Sequence, residues 1–159
     1  MEFYKILDSA TKEDERGMVR LRGLRLAAQV ALMFLSFPRY KESAELKVEQ
    51  VSREGNNLVI LFKKGKNYQF GEAWMSVISS KQEDGVNPVE VNCRYMDKLR
   101  KVKGNSRGFL FPALRSSKKG DSSLDKPASY KLVLAQFKSI VKEVGVASDP
   151  SSFDLHSMR

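Results

Sequence analysis

Apolar residues recur at threes and fours over 12–35, at Met18, Leu21, Leu24, Ala28, Leu32 and Leu35, behind a front of acids at Glu13, Asp14 and Glu15. This spacing predicts a helix, with the acids at its positive end. Beyond Arg25 the remaining faces are apolar too, carrying Leu26, Ala27, Val30, Ala31, Met33 and Phe34, so this part is expected to be buried all round. Gly23 either divides two helices or weakens one. Ser36 is placed to cap a short second helix over 37–46, since Pro38 is tolerated in a first helical turn.

Over 48–70 the period shortens. Val48-Glu49-Gln50-Val51, the turn Arg53-Glu54-Gly55-Asn56-Asn57 and Leu58-Val59-Ile60-Leu61-Phe62 read as strand, turn, strand. A second turn, Lys63-Lys64-Gly65-Lys66-Asn67, leads to Tyr68-Gln69-Phe70 and completes a three-stranded meander. Trp74 is expected to pack against a helix. Helical spacing returns over 88–101, with Val89, Val91, Cys93, Met96 and Leu99 toward the core and Asn92, Arg94, Lys98 and Arg100 outside. The turn Gly104-Asn105-Ser106-Arg107-Gly108 precedes apolar Phe109-Leu110-Phe111-Pro112, and the Ser, Lys and Gly-rich stretch 115–126 reads as a mobile loop. A last helix over 129–144 buries Val133, Phe137, Ile140, Val141 and Val144 and stops at Gly145. The pattern predicts an α+β fold: one mainly helical domain over 1–159 with a small three-stranded antiparallel sheet.

Composition narrows the partner more than the fold. Lys and Arg number 28 against 19 acids, a net charge of +9, which favours a polyanion such as nucleic acid. Cys93 is the single cysteine, so no intrachain disulfide forms and an intracellular, nuclear or cytoplasmic setting fits. No carboxylate, His or Cys set has metal-ligand spacing, and neither metal nor cofactor is expected. The longest apolar stretch, 26–37, is interrupted by Gln29 and Ser36 and is too short for a bilayer, so no membrane partner is expected.

Two places carry candidate chemistry. The final residues, His156-Ser157-Met158-Arg159, set an imidazole and a guanidinium three positions apart, on one face if the segment is helical. Arg offers phosphate oxygens a planar fork of donors, and His donates a hydrogen bond or moves a proton near neutral pH. Lys63, Lys64 and Lys66 crowd the second hairpin turn, where an ammonium could reach a phosphate. Alone, each is more often a solvated basic face.

Taken in order, these parts resemble the catalytic domain of the tyrosine recombinases, or phage-type integrases, over 23–159. The segment Phe34-Leu35-Ser36-Phe37-Pro38-Arg39-Tyr40-Lys41-Glu42-Ser43-Ala44-Glu45-Leu46 is similar to the one carrying the family's first catalytic Arg and, three residues later, a supporting Glu. The resemblance therefore assigns those roles to Arg39 and Glu42. Phe37-Pro38 stands where the family more often has a Gly shortly before this Arg. The lysine-rich turn resembles the hairpin presenting the general-acid lysine. Lys64, beside Gly65, is the first choice and Lys66 the alternative, with Lys63 and Lys66 as DNA contacts. Phe109-Leu110-Phe111-Pro112 is similar to the apolar segment before the next helix, and His156 with Arg159 to the His-x-x-Arg box.

The resemblance implies an integrase-like core that clamps one phosphate between Arg39 and Arg159, with His156 assisting and the lysine protonating the leaving 5′ oxygen. It implies double-stranded DNA as partner and DNA integration or site-specific recombination as process, and it leaves homo-oligomerisation on the DNA open. The family's nucleophilic tyrosine lies some helical turns beyond the second Arg. Nothing follows Arg159 here, and Tyr4, Tyr40, Tyr68, Tyr95 and Tyr130 all lie upstream. The expectation is thus a C-terminally truncated catalytic domain, a fragment from a mobile element, without a separate N-terminal DNA-clamping domain and inactive by itself in strand cleavage. The alternatives are a non-enzymatic basic DNA-binding module on the same scaffold and a nuclease or topoisomerase-like enzyme, which also needs a nucleophile.

Overall fold

A computed structural model describes residues 2–13, 20–63, 73–80, 86–114, 124–145 and 155. The fold is α+β, as the pattern predicts, with a three-stranded antiparallel sheet among the described residues. Helix α1 (Glu2–Thr11) precedes every predicted element and buries Phe3, Ile6, Leu7 and Ala10, an i, i+3, i+4, i+7 stripe.

Helix α2 (Leu21–Ser36) is the centre of the domain, touching α1, α3 (Tyr40–Ala44), α4 (Pro88–Lys103), α5 (Tyr130–Val144) and strand β3. Leu24, Leu26, Ala27, Ala28, Val30, Ala31, Leu32 and Met33 are buried, so the helix is enclosed on all sides as expected. Its start differs from the predicted one. Lys12 and Glu13 lie outside any helix, and Gly23 sits inside α2, dividing nothing. Gly23 is instead a crossing point: a Cβ there would meet the Ala10 carbonyl oxygen at 2.3 Å. Only a residue without a side chain lets α1 approach this closely.

The second helix is also shorter than expected. Ser36 ends α2 and does not cap a new helix; Phe37 adopts a left-handed conformation (φ 52, ψ 30), Pro38 is buried, and Arg39 is the N-cap of α3. After a 3₁₀ turn (Val48–Gln50), strands β1 (Val51–Glu54) and β2 (Asn57–Phe62) form a hairpin around Gly55 and Asn56, with Val51 opposite Ile60 and Glu54 opposite Asn57. The third strand is β3 (Trp74–Ser79), paired so that Phe62 faces Trp74 and Asn57 faces Ser79. The predicted strand at 68–70 lies outside the described residues. Val51, Leu58, Ile60, Phe62 and Ile78 turn inward, while Leu61, Met75 and Val77 are exposed on the other face. Trp74 stacks on Phe62 across the sheet, ring centroids 4.0 Å apart, rather than simply lying on a helix.

Helices α4 and α5 follow their predicted courses because their ends are signalled locally. Asn87 Oδ1 accepts from the N–H groups of Val89 and Glu90, Pro88 opens α4, and Gly104 closes it at φ 68. Ser129 Oγ accepts from Leu132 N–H, and Gly145 closes α5 at φ 69. One placement is corrected: Asn92, expected outside, is buried, its Nδ2 donating to the Pro88 carbonyl at 2.9 Å. That bond within α4 offsets part of the cost of burying the amide.

The segment Phe109-Leu110-Phe111-Pro112 is stapled on two sides. Leu110 N–H donates to Leu46 O at 2.8 Å, and Phe111 O accepts from Ala128 N–H at 2.9 Å. From α4, Tyr95 donates its hydroxyl to Leu110 O at 2.6 Å and stacks on Phe111. These bonds join the join between α3 and β1, the loop core and the start of α5 into one framework.

Candidate functional site

Arg39 sits where α2 hands over to α3. Glu42, three residues on, folds back so that its Oε2 accepts from the Arg39 backbone N–H at 2.7 Å. The acid thereby satisfies a donor that the helix start leaves open, and the Arg39 side chain remains exposed to solvent.

Glu42 also lines a groove of about 270 Å³ with Glu45, Leu46, Lys47, Gln50, Phe62, Lys63 and Trp74. Phe62 and Trp74, stacked, form its apolar wall, and exposed Lys63 leaves the end of β2 at its edge. The groove therefore brings Glu42 and Lys63, far apart in sequence, to one place. Lys64, Lys66, His156 and Arg159 lie outside the described residues. Leu155, immediately before His156, is buried in the main core.

Lys47 is a further basic residue of this site. Its Nζ lies 3.1 Å from the Phe109 ring centroid, a cation–π contact, while its backbone N–H donates to Gln50 Oε1. No periodicity marks it, because it follows α3 in a segment whose shape is set by pairing with Phe109. Lys41 and Glu45 form an exposed pair at 3.6 Å, which adds little to stability.

Arg25 is fully buried on α2. One terminal nitrogen donates to Pro112 O at 3.3 Å and the other to Gln136 Oε1 on α5, while Nε has no partner. No acid pairs with it among the described ion pairs, and burial holds its pKa below the ordinary value, with Tyr95 and Tyr40 opposing that shift. The same residue thus ties α2 to the stapled loop and to α5.

The tyrosines can be sorted by their hydroxyls. Tyr40 donates to Ala128 O at 2.6 Å, and burial pushes its pKa up to about 12 against the opposing charge of Arg25. Tyr95, donating to Leu110 O, is also raised by burial. Neither is prepared to ionise and attack. Tyr130 and Tyr4 are half-buried in edge-on contacts with Tyr40 and Phe3, and Tyr68 lies outside the described residues. Among the described residues, no three His, Cys, Asp or Glu side chains are grouped to hold a metal, and no helix is long and apolar enough to cross a membrane.

The fold resembles that of a site-specific recombinase. The XerH site-specific recombinase bound to palindromic difH substrate, in a post-cleavage complex, matches with a TM-score of 0.64 and 16% identity over 99% of this chain. Its pre-cleavage complex with difH matches with a TM-score of 0.65 and 13% identity, again over 99%. This chain spans 38% and 39% of the lengths of those two XerH chains. No family model matches the sequence, and no curated protein does. At these identities the likeness to XerH is one of fold, and it takes in the helices and the sheet alike.

Proposed function

We propose that this chain is a catalytic domain of the tyrosine-recombinase type, over 1–159, that binds duplex DNA and grips one phosphodiester for strand cleavage and rejoining. The observation that carries the reading is the likeness, over 99% of the chain, to a recombinase in two complexes with its DNA substrate. The net charge of +9 and the solvent-facing Arg39 and Lys63 agree with it.

In this reading Arg39 offers its guanidinium to the non-bridging oxygens, where negative charge accumulates in the transition state. Glu42 serves it by fixing the backbone from which it projects. Arg159 and His156 complete the clamp, and Lys64 or Lys66 protonates the leaving 5′ oxygen as the attacking hydroxyl forms its bond to phosphorus. The attacking group is neither Tyr40 nor Tyr95, whose protons are committed to carbonyls. With these roles the chain binds DNA and grips a phosphate as part of a mobile-element recombination system.

Binding to a labelled duplex across a salt series tests the first half of this reading; affinity should fall steeply as salt rises. A nicked suicide substrate tests the second. It should trap no covalent protein–DNA adduct with this chain alone, and an adduct would overturn the assignment of the tyrosines.

A further inference from the structure

Phe37 is the one non-glycine residue with positive φ among the described residues, the others being Gly55, Gly104, Gly108 and Gly145. Its N–H donates to Met33 O at 3.1 Å and closes α2, a task that glycine performs without strain. A bulky aromatic in this conformation is an outlier, and the following proline adds to the conflict by favouring an extended residue before it. Such strain persists where the ring does something useful.

Packing does not supply that use. Phe37 itself is 63% exposed, although Phe34, one turn earlier, stacks on Phe3 against the core. The ring stands in solvent two residues before Arg39, and the intervening Pro38 is buried, so the exposed pair flanks an anchored residue. An exposed apolar ring two residues from an exposed arginine matches the surface of a nucleotide. The guanidinium meets the phosphate, and the ring meets the apolar face of the neighbouring sugar or base.

We infer that Phe37 is a DNA-contacting residue that lays its ring on the nucleotide next to the phosphate held by Arg39. The inference rests on the DNA-binding reading above. The left-handed backbone is what turns the ring outward instead of back onto α2, and the strain is retained because the contact needs an aromatic side chain that glycine lacks.

The test compares wild type with Phe37→Gly, Phe37→Asn and Phe37→Tyr in anisotropy titrations of a fluorescein-labelled random-sequence duplex, beside thermal unfolding of each protein. Phe37→Gly and Phe37→Asn should each lose at least about fivefold in affinity. Their salt dependence should match wild type, because no charge is removed, and their thermal midpoints should equal or exceed it, because glycine and asparagine tolerate positive φ. Phe37→Tyr should bind as wild type does. A Phe37→Gly variant binding within about twofold of wild type overturns the inference, as does a loss accompanied by a lower thermal midpoint. Absence of salt-dependent duplex binding by the wild-type chain overturns the functional reading and this inference together; intact wild-type binding with unaffected variants overturns the role of Phe37 alone.

Discussion

Glu42 holds the main chain of Arg39, not its guanidinium: the carboxylate accepts the Arg39 backbone N–H at 2.7 Å. An acid three residues after the N-cap both fills an open donor and complements the positive end of the helix. Its support of the arginine is thus positional, and the side chain is left available to a ligand.

Replacing Glu42 by alanine should therefore lower unfolding free energy by about 1 kcal/mol, as for the loss of a cap. Urea denaturation measures the difference. Glu42→Gln, which keeps an acceptor oxygen, should recover most of it.

Arg39→Gln should weaken duplex binding and reduce the slope of log affinity against log salt by about one, the signature of one lost phosphate contact. Lys63→Gln, at the groove edge, should show a smaller loss of affinity. Equal losses for the two, matched by a lysine elsewhere on the surface, would indicate a diffuse basic face in place of a phosphate site.

Arg25→Ala should destabilise the fold by about 3 kcal/mol, because it leaves a cavity and strips the donors from Pro112 O and Gln136 Oε1. Arg25→Met, which fills the space, should cost roughly half as much. Chemical denaturation of the two variants gives the comparison directly.

The alkaline limb of the stability profile should fall from about pH 10, where tyrosine in the unfolded chain begins to ionise. Tyr40, raised to about 12 by burial, keeps its proton longer in the folded state. Its contribution is complete below pH 10 and is lost as pH climbs toward 12, at up to about 1.4 kcal/mol per pH unit. Tyr95 acts in the same direction. Tyr40→Phe should flatten this limb in urea unfolding followed against pH.

Gly23→Ala should be destabilising, although alanine ordinarily improves a helix interior by about 1 kcal/mol over glycine. The added Cβ would press on the Ala10 carbonyl oxygen, a backbone atom that can retreat only by moving α1. A lowered thermal midpoint checks the sign.

Where local chemistry marks a boundary, the sequence reading and the structure agree. Asn87-Pro88 and Gly104 delimit α4, Ser129 and Gly145 delimit α5, and the apolar, β-branched run Leu58 to Phe62 between turn residues gives β2. The α2–α3 junction defeats that logic because Phe37 occupies a conformation its residue type disfavours, so Ser36 looks like the start of a helix when it is the end of one. Strand β3 is less legible: Met75 and Val77 are apolar yet exposed, and no β-branched run as long as that of β2 marks it. Of the candidate site, Arg39 and Glu42 are visible by resemblance, and the contact between their backbone and carboxylate follows from spacing. Lys47 and buried Arg25 are not, since their positions depend on pairing with Phe109 and on contacts with Pro112 and Gln136, all remote in sequence.

Leu155 has a role in packing. It is buried in the core cluster, whose other members precede it by many positions, and a buried leucine contributes about 1.5–3 kcal/mol. A shortened version ending before it would forfeit that plug even if the chemistry of His156 and Arg159 were of no interest. Variants meant to dissect His156 and Arg159 should therefore leave Leu155 in place, so that a loss of function is not a loss of packing.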